Sequence, residues 1–127
     1  ALAFAGRYQE SVNQLEKAIR MNPFPPGLYY MHLGMAQLSL RQYEQAVSSL
    51  KKALALNPKN ISARRMLTVT YVEMGRLEDA KVQAEEILKI DPKFTSKGFE
   101  KIVPFKDPEI TKRYIEALRA AGLERDT

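Results

Sequence analysis

Ala46, Leu50, Ala53 and Pro58 recur 34 residues later as Ala80, Ala84, Ile87 and Pro92. Counting back 35 residues from Tyr43, Leu50, Ala53 and Pro58 gives Tyr8, Leu15, Ala18 and Pro23. A period of this size restricts a chain to a stack of like units, because one unit cannot bury its own apolar face and its neighbours must cover it. Within each unit the apolar residues advance in steps of three and four, which is the period of an amphipathic helix rather than of a strand. The expected fold class is all-α, built from antiparallel helix pairs joined at Pro-bearing turns.

The stretch from Gly27 to Pro58 carries the unit most completely. Tyr30, Leu33, Gly34, Gln37, Ala46, Leu50 and Pro58 stand at the spacings of a known helix-turn-helix pattern, W-x-x-L-G-x-x-Y, then A-x-x-x-F, then P. Small residues such as Gly34 and Ala46 fit where two backbones approach, while Tyr30 and Leu50 fill the wider gaps. Over residues 1–93 the chain resembles the tetratricopeptide-repeat (TPR) family. That resemblance implies a right-handed superhelical solenoid with units at 1–23 (truncated), 24–58 and 59–93, followed at 94–127 by an atypical unit ending in a capping helix.

The residues between these landmarks place the helices. ALAFA at 1–5 reads as the end of a first helix, with Gly6 as the break before a helix from Arg7 to Met21 whose apolar set is Tyr8, Val12, Leu15, Ala18 and Ile19. A sequence that opens inside a unit without an initiator Met is expected to be an excised fragment of something longer. Pro26 suits the opening of a helix over about 26–40, followed by one over Gln42–Leu56. Asn60 can cap the next, Gly75 ends it, and Leu77 to Ile90 completes the unit. Beyond Phe94 the pattern fails, and Pro104 breaks any short helix that begins near Thr95. Asp107, Pro108 and Glu109 then open a last helix with the stripe Ile110, Tyr114, Ala117, Leu118 and Ala121 before Gly122.

Composition excludes several function classes. There are no cysteines, so disulfide scaffolds and thiolate metal sites are ruled out. No apolar run approaches the length of a membrane span and no leader opens the chain, so a soluble, cytoplasmic protein is expected. Twenty basic against fifteen acidic residues give +5, spread too evenly to argue for nucleic acid by itself. His32 has no second ligand at metal spacing, phosphate-cradling glycine motifs are missing, and Glu78-Asp79 and Glu85-Glu86 read as solvated charge among lysines. We therefore expect no enzyme activity, no cofactor and no metal.

The resemblance implies a peptide-binding concave surface lined by the first helix of each pair. Its candidate residues are Leu28, Met31, Met35, Leu38, Arg65, Val69, Val72 and Glu73. Met side chains suit an apolar ligand of adaptable shape, and Arg65 with Glu73 could set register. The alternative for the same residues is core, covered by an N-terminal helix or by the stack itself. Family members that grip the carboxylate tail of heat-shock chaperones need Lys and Asn donors here; Met31, Met35 and Met66 supply none. The expected function is a non-catalytic interaction scaffold that takes a peptide, a helix or a second copy of itself. A second resemblance, from Val103 to Leu123, is to the closing segment of bacterial multidomain proteins such as class III adenylate cyclases, implying the C-terminal module of a signalling protein. The runner-up is nucleic-acid binding through Lys93, Lys97, Lys101, Lys106, Lys112, Arg113 and Arg119 with Phe99, Phe105 and Tyr114 interleaved.

Overall fold

In the computed structural model the described residues are 2–92 and 108–123. Six helices fall within them: α1 (Leu2–Met21), α2 (Gly27–Ser39), α3 (Tyr43–Leu56), α4 (Ile61–Glu73), α5 (Leu77–Ile90) and α6 (Pro108–Ala120). The most extensive contacts are within the pairs α2–α3 and α4–α5, then between neighbours α1–α2, α3–α4 and α4–α6. The molecule is thus an all-α solenoid of helix pairs. The short helix expected near Thr95 and the cap expected at Asp107 lie outside the described residues.

Local chemistry accounts for the turns. Asn22 and Asn57, each one residue before a proline, accept a backbone N–H from two residues on, Phe24 at 3.0 Å and Lys59 at 3.2 Å. The Asn60 side chain caps α4 by accepting from the Ala63 N–H at 3.1 Å. Three helices end with the same pair of backbone bonds. Gln42 N–H reaches Gln37 O and Arg41 N–H reaches Leu38 O; Arg76 and Gly75 repeat this on Tyr71 and Val72, and Leu123 and Gly122 on Leu118 and Arg119. That closure requires a left-handed residue, which is Gly75 (φ 78°), Gly122 (φ 97°) and, against its steric preference, Arg41 (φ 62°).

One sequence expectation is corrected. The chain does not break at Gly6, since α1 runs without interruption from Leu2 to Met21. A glycine inside a helix costs only about 1 kcal/mol relative to alanine, too little to force a turn by itself.

The core joins the pairs through matched bulk. A Cβ on Gly34 would stand 2.6 Å from Leu50 Cγ, so α2 and α3 touch only because residue 34 has no side chain. In the next unit the counterparts of Gly34 and Leu50 are Thr68 and Ala84, so the larger residue now stands on the first helix, and both are buried. Gln37, where the pattern prefers an aromatic, is buried and accepts a 2.7 Å hydrogen bond from the Ser49 hydroxyl.

Candidate functional site

The first helices of the two complete units put equivalent residues on one face, offset by 34: Leu28 with Ser62, Met31 with Arg65, Met35 with Val69, Leu38 with Val72 and Ser39 with Glu73. The structure gives these positions two different environments. On α2, Leu28 is exposed and Met31 and Met35 are half-buried. On α4, Val69 is fully buried, Arg65 is 9 % exposed, and Val72 and Glu73 are half-buried. Leu38, at the C-terminal end of α2, is also fully buried.

The difference is α6, which packs against α4. Its Tyr114, Ala117 and Leu118, with Ala121 just past its end, are buried in one cluster with Leu38, Val69 and Tyr71. The stripe read from sequence is therefore real; the side chain of Ile110 lies outside the described residues. Arg113 anchors the helix by polar contacts. Its Nη2 donates to Leu38 O at 2.9 Å, a carbonyl at the negative end of α2, and its Nε lies against Glu73 Oε1 in an ion pair. Tyr114 sits beside Ser39 and the charges of Glu73 and Arg113, with Tyr8 nearby. Burial drives its phenol far above the ordinary range, so it stays neutral. Burial likewise lowers the Arg65 pKa, while the nearby Tyr114 acts in the opposite direction.

These contacts also bear on the basic C-terminal third. Tyr114 is fully buried and cannot stack on a base, and Arg113 is held by Glu73 and Leu38. Lys112 and Arg119 are exposed, whereas Lys93, Lys97, Phe99, Lys101, Phe105 and Lys106 lie outside the described residues.

The open half of the face continues into a cleft of about 540 Å³ between α1 and α2. Its α1 wall is Tyr8, Ser11, Gln14, Leu15 and Ala18; its α2 wall is Tyr29, His32, Met35 and Ala36. Sequence reasoning singled out Met35 but not the others. The repeat offset would have found them. Ser11, Gln14, Leu15 and Ala18 are the counterparts of Ala46, Ser49, Leu50 and Ala53, the buried α3 residues beneath α2. Tyr29, His32 and Ala36 are the counterparts of Ala63, Met66 and Thr70, which are buried on α4. Both walls are thus copies of surfaces that elsewhere in the stack receive a neighbouring helix.

The described residues contain no group of three His, Asp or Glu side chains placed to hold a metal, and no helix long and apolar enough to cross a membrane. The acidic pairs are surface charge: Asp79 meets Arg76 at 2.7 Å and Glu86 meets Lys89 at 3.0 Å, both one helical turn apart.

Comparison with known proteins gives a consistent result. Two family models, each described as a tetratricopeptide repeat, match residues 1–61 and 37–97. Among solved structures, the Arabidopsis OM64 TPR domain superposes with a TM-score of 0.66 at 22 % identity, over 90 % of this chain and 82 % of that one. The crystal structure of MamA gives 0.66 at 21 % identity, covering 90 % of this chain and 66 % of that one. YrrB, described as a TPR protein with an unusual peptide-binding site, gives 0.65 at 25 % identity, covering 91 % and 59 %. No curated protein matches the sequence.

Proposed function

Because this chain belongs to the tetratricopeptide-repeat family, we propose that it is a non-catalytic scaffold that binds a protein partner by receiving a helix or peptide on its concave face. One observation carries the reading: the α1–α2 cleft is walled by the repeat counterparts of the two surfaces that flank α2. A ligand for it is an amphipathic helix with a glycine or alanine where it crosses Leu15, as α2 places Gly34 against Leu50. Leu28 and Met31 extend the apolar surface from Met35 beyond the cleft, and the Met side chains adapt to ligands of differing shape. YrrB, a protein of the same fold, is described as having a peptide-binding site, which supports a peptide as the class of ligand. A cytoplasmic setting as the C-terminal module of a larger bacterial signalling protein fits the resemblance of Val103–Leu123 to such closing segments. In this reading residues 94–127 form the atypical end of the stack, with α6 as its cap.

The chain itself supplies the probe. A synthetic peptide of residues 26–41, which contains α2, should bind with a dissociation constant on the order of micromolar to tens of micromolar, measured by fluorescence anisotropy. Ala36→Glu in the protein should weaken it at least tenfold by placing a carboxylate on the apolar wall. A peptide with Gly34→Leu should fail outright. Equal binding of both peptides, or none by the unaltered protein, would sink the proposal.

A further inference from the structure

The α1–α2 cleft copies the seat that α3 and α4 form for α2, and the places where the copy departs from the original describe what it takes. We propose that the partner's helix carries an acidic side chain on the face it lays in this cleft, set against Gln14, Tyr29 and His32, where α2 itself carries a neutral one. The inference rests on the reading of the cleft as the partner's seat and names the chemistry of that partner.

Three observations carry it. The first is the direction of the differences. Leu15 and Ala18 keep the identities of Leu50 and Ala53, and Tyr8 that of Tyr43, so the apolar floor is retained. Against this, Ser11 stands for Ala46, Gln14 for Ser49, Tyr29 for Ala63 and His32 for Met66, and the four residues of the original seat are buried. Each exchange adds hydrogen-bonding capacity. The reverse exchange, Ala36 for Thr70, removes none across the seat, because the Thr70 hydroxyl donates to Met66 O of its own helix at 2.6 Å.

The second observation is the lack of an acceptor for these groups. No carboxylate stands among the described residues that line the cleft, and the side chains of Ser11, Tyr29 and His32 make no hydrogen bond to another described residue. Gln14 donates to Glu10 at 3.3 Å along the exposed side of α1 and keeps a second amide hydrogen. Tyr29 and His32 are half-buried, so a helix that closes the cleft takes them out of water, and an apolar one strands their donors. An ionised carboxylate only accepts, and its two oxygens serve several donors at once. The third observation fixes the register. On α2, Gln37 accepts the Ser49 hydroxyl at 2.7 Å and lies three residues after Gly34, which rests on Leu50. In the cleft Gln14 and Leu15 take the places of Ser49 and Leu50, so the acidic residue belongs three positions after the partner's small residue.

Two peptides of residues 26–41, the natural one with Gln37 and one with Gln37→Glu, test this on the full chain by fluorescence anisotropy. The two side chains are nearly equal in shape, so the comparison isolates the charge. The Gln37→Glu peptide should bind about fivefold tighter, since a charge-assisted hydrogen bond exceeds a neutral one. Converting the cleft to the original seat, by Ser11→Ala, Gln14→Ser, Tyr29→Ala and His32→Met in one chain, should reverse the order and favour the natural peptide. The same two peptides meet both proteins, so their own helix propensities cancel. Should the converted chain lose helicity by circular dichroism, His32→Met alone decides, and it should cut the preference for the acidic peptide to about twofold or less. A natural peptide that binds the unaltered chain as tightly as the acidic one overturns the inference and leaves the cleft a seat for apolar helices. A preference for acid that survives conversion of the cleft overturns it as well, because the charge is then read elsewhere on the chain. If neither peptide binds, the reading of the cleft falls and this inference falls with it.

Discussion

The two complete units present the same five positions on the concave face and use them in opposite ways. On α2, Leu28, Met31 and Met35 are apolar and partly open, and only Leu38 and Ser39 at its end lie against α6; on α4, Ser62, Arg65, Val69, Val72 and Glu73 are mixed in polarity, and α6 packs along this helix. The covered half is the more polar one. An aliphatic face accepts many apolar ligands with little discrimination, whereas buried charges penalise every occupant that does not pair with them. Arg113 and Tyr114 meet that condition, so polarity in the α4 half selects one helix and leaves the α2 half permissive.

The comparison can be broken most severely by removing what closes the α4 half. Leu118→Asp puts a carboxylate into the α6 cluster where Leu118 is fully buried, and should unseat the helix at a cost of about 3 kcal/mol or more, read from urea denaturation. Val69 and Arg65 should then exchange amide hydrogens as readily as the exposed end of α2; protection unchanged from the natural sequence would show that α6 does not close this half.

A smaller effect sharpens the difference inside the pairs. Gly34→Ala forces a Cβ to within 2.6 Å of Leu50 Cγ and should cost about 2 kcal/mol, while adding Leu50→Ala imports the solution used by Thr68 and Ala84 and should recover part of the loss. Simple additivity of the two changes would deny that the bulk is shared between them.

The pH response of the closed half is smaller again. The Tyr114 phenol, ordinarily titrating near 10.0, is raised by burial, and its contribution is present below that pH and lost as pH rises through the folded value. Alkaline melting should therefore begin earlier in the natural sequence than in Tyr114→Phe, by thermal scans across pH 9 to about 11. Arg113, Glu73, Tyr8 and Arg65 surround the group in both proteins, so the difference isolates the phenol. The mildest change makes the two helix ends alike. Arg41→Gly gives α2 the residue that closes α4 and should stabilise by up to about 1 kcal/mol, since φ is 62° at that site.

Periodicity determined the fold class, the pairing of α2 with α3 and α4 with α5, and the cap at Asn60, because each follows from spacing or from a side chain acting on its own backbone. It also identified the stripe on α6. It misplaced a break at Gly6, because one glycine is too weak a signal to turn a helix. The division of the concave face lay beyond sequence. Val69 and Met35 stand at the same position of their units and are similar in polarity; Val69 is buried in a cluster with Tyr114 and Leu118 of α6, a helix that begins about forty residues further along the chain. The α1–α2 cleft has the same origin, since the residues that fill its equivalents elsewhere belong to a neighbouring helix. Local spacing fixes which side a residue faces. What it meets there is decided by packing between distant segments, which only the tertiary structure reveals.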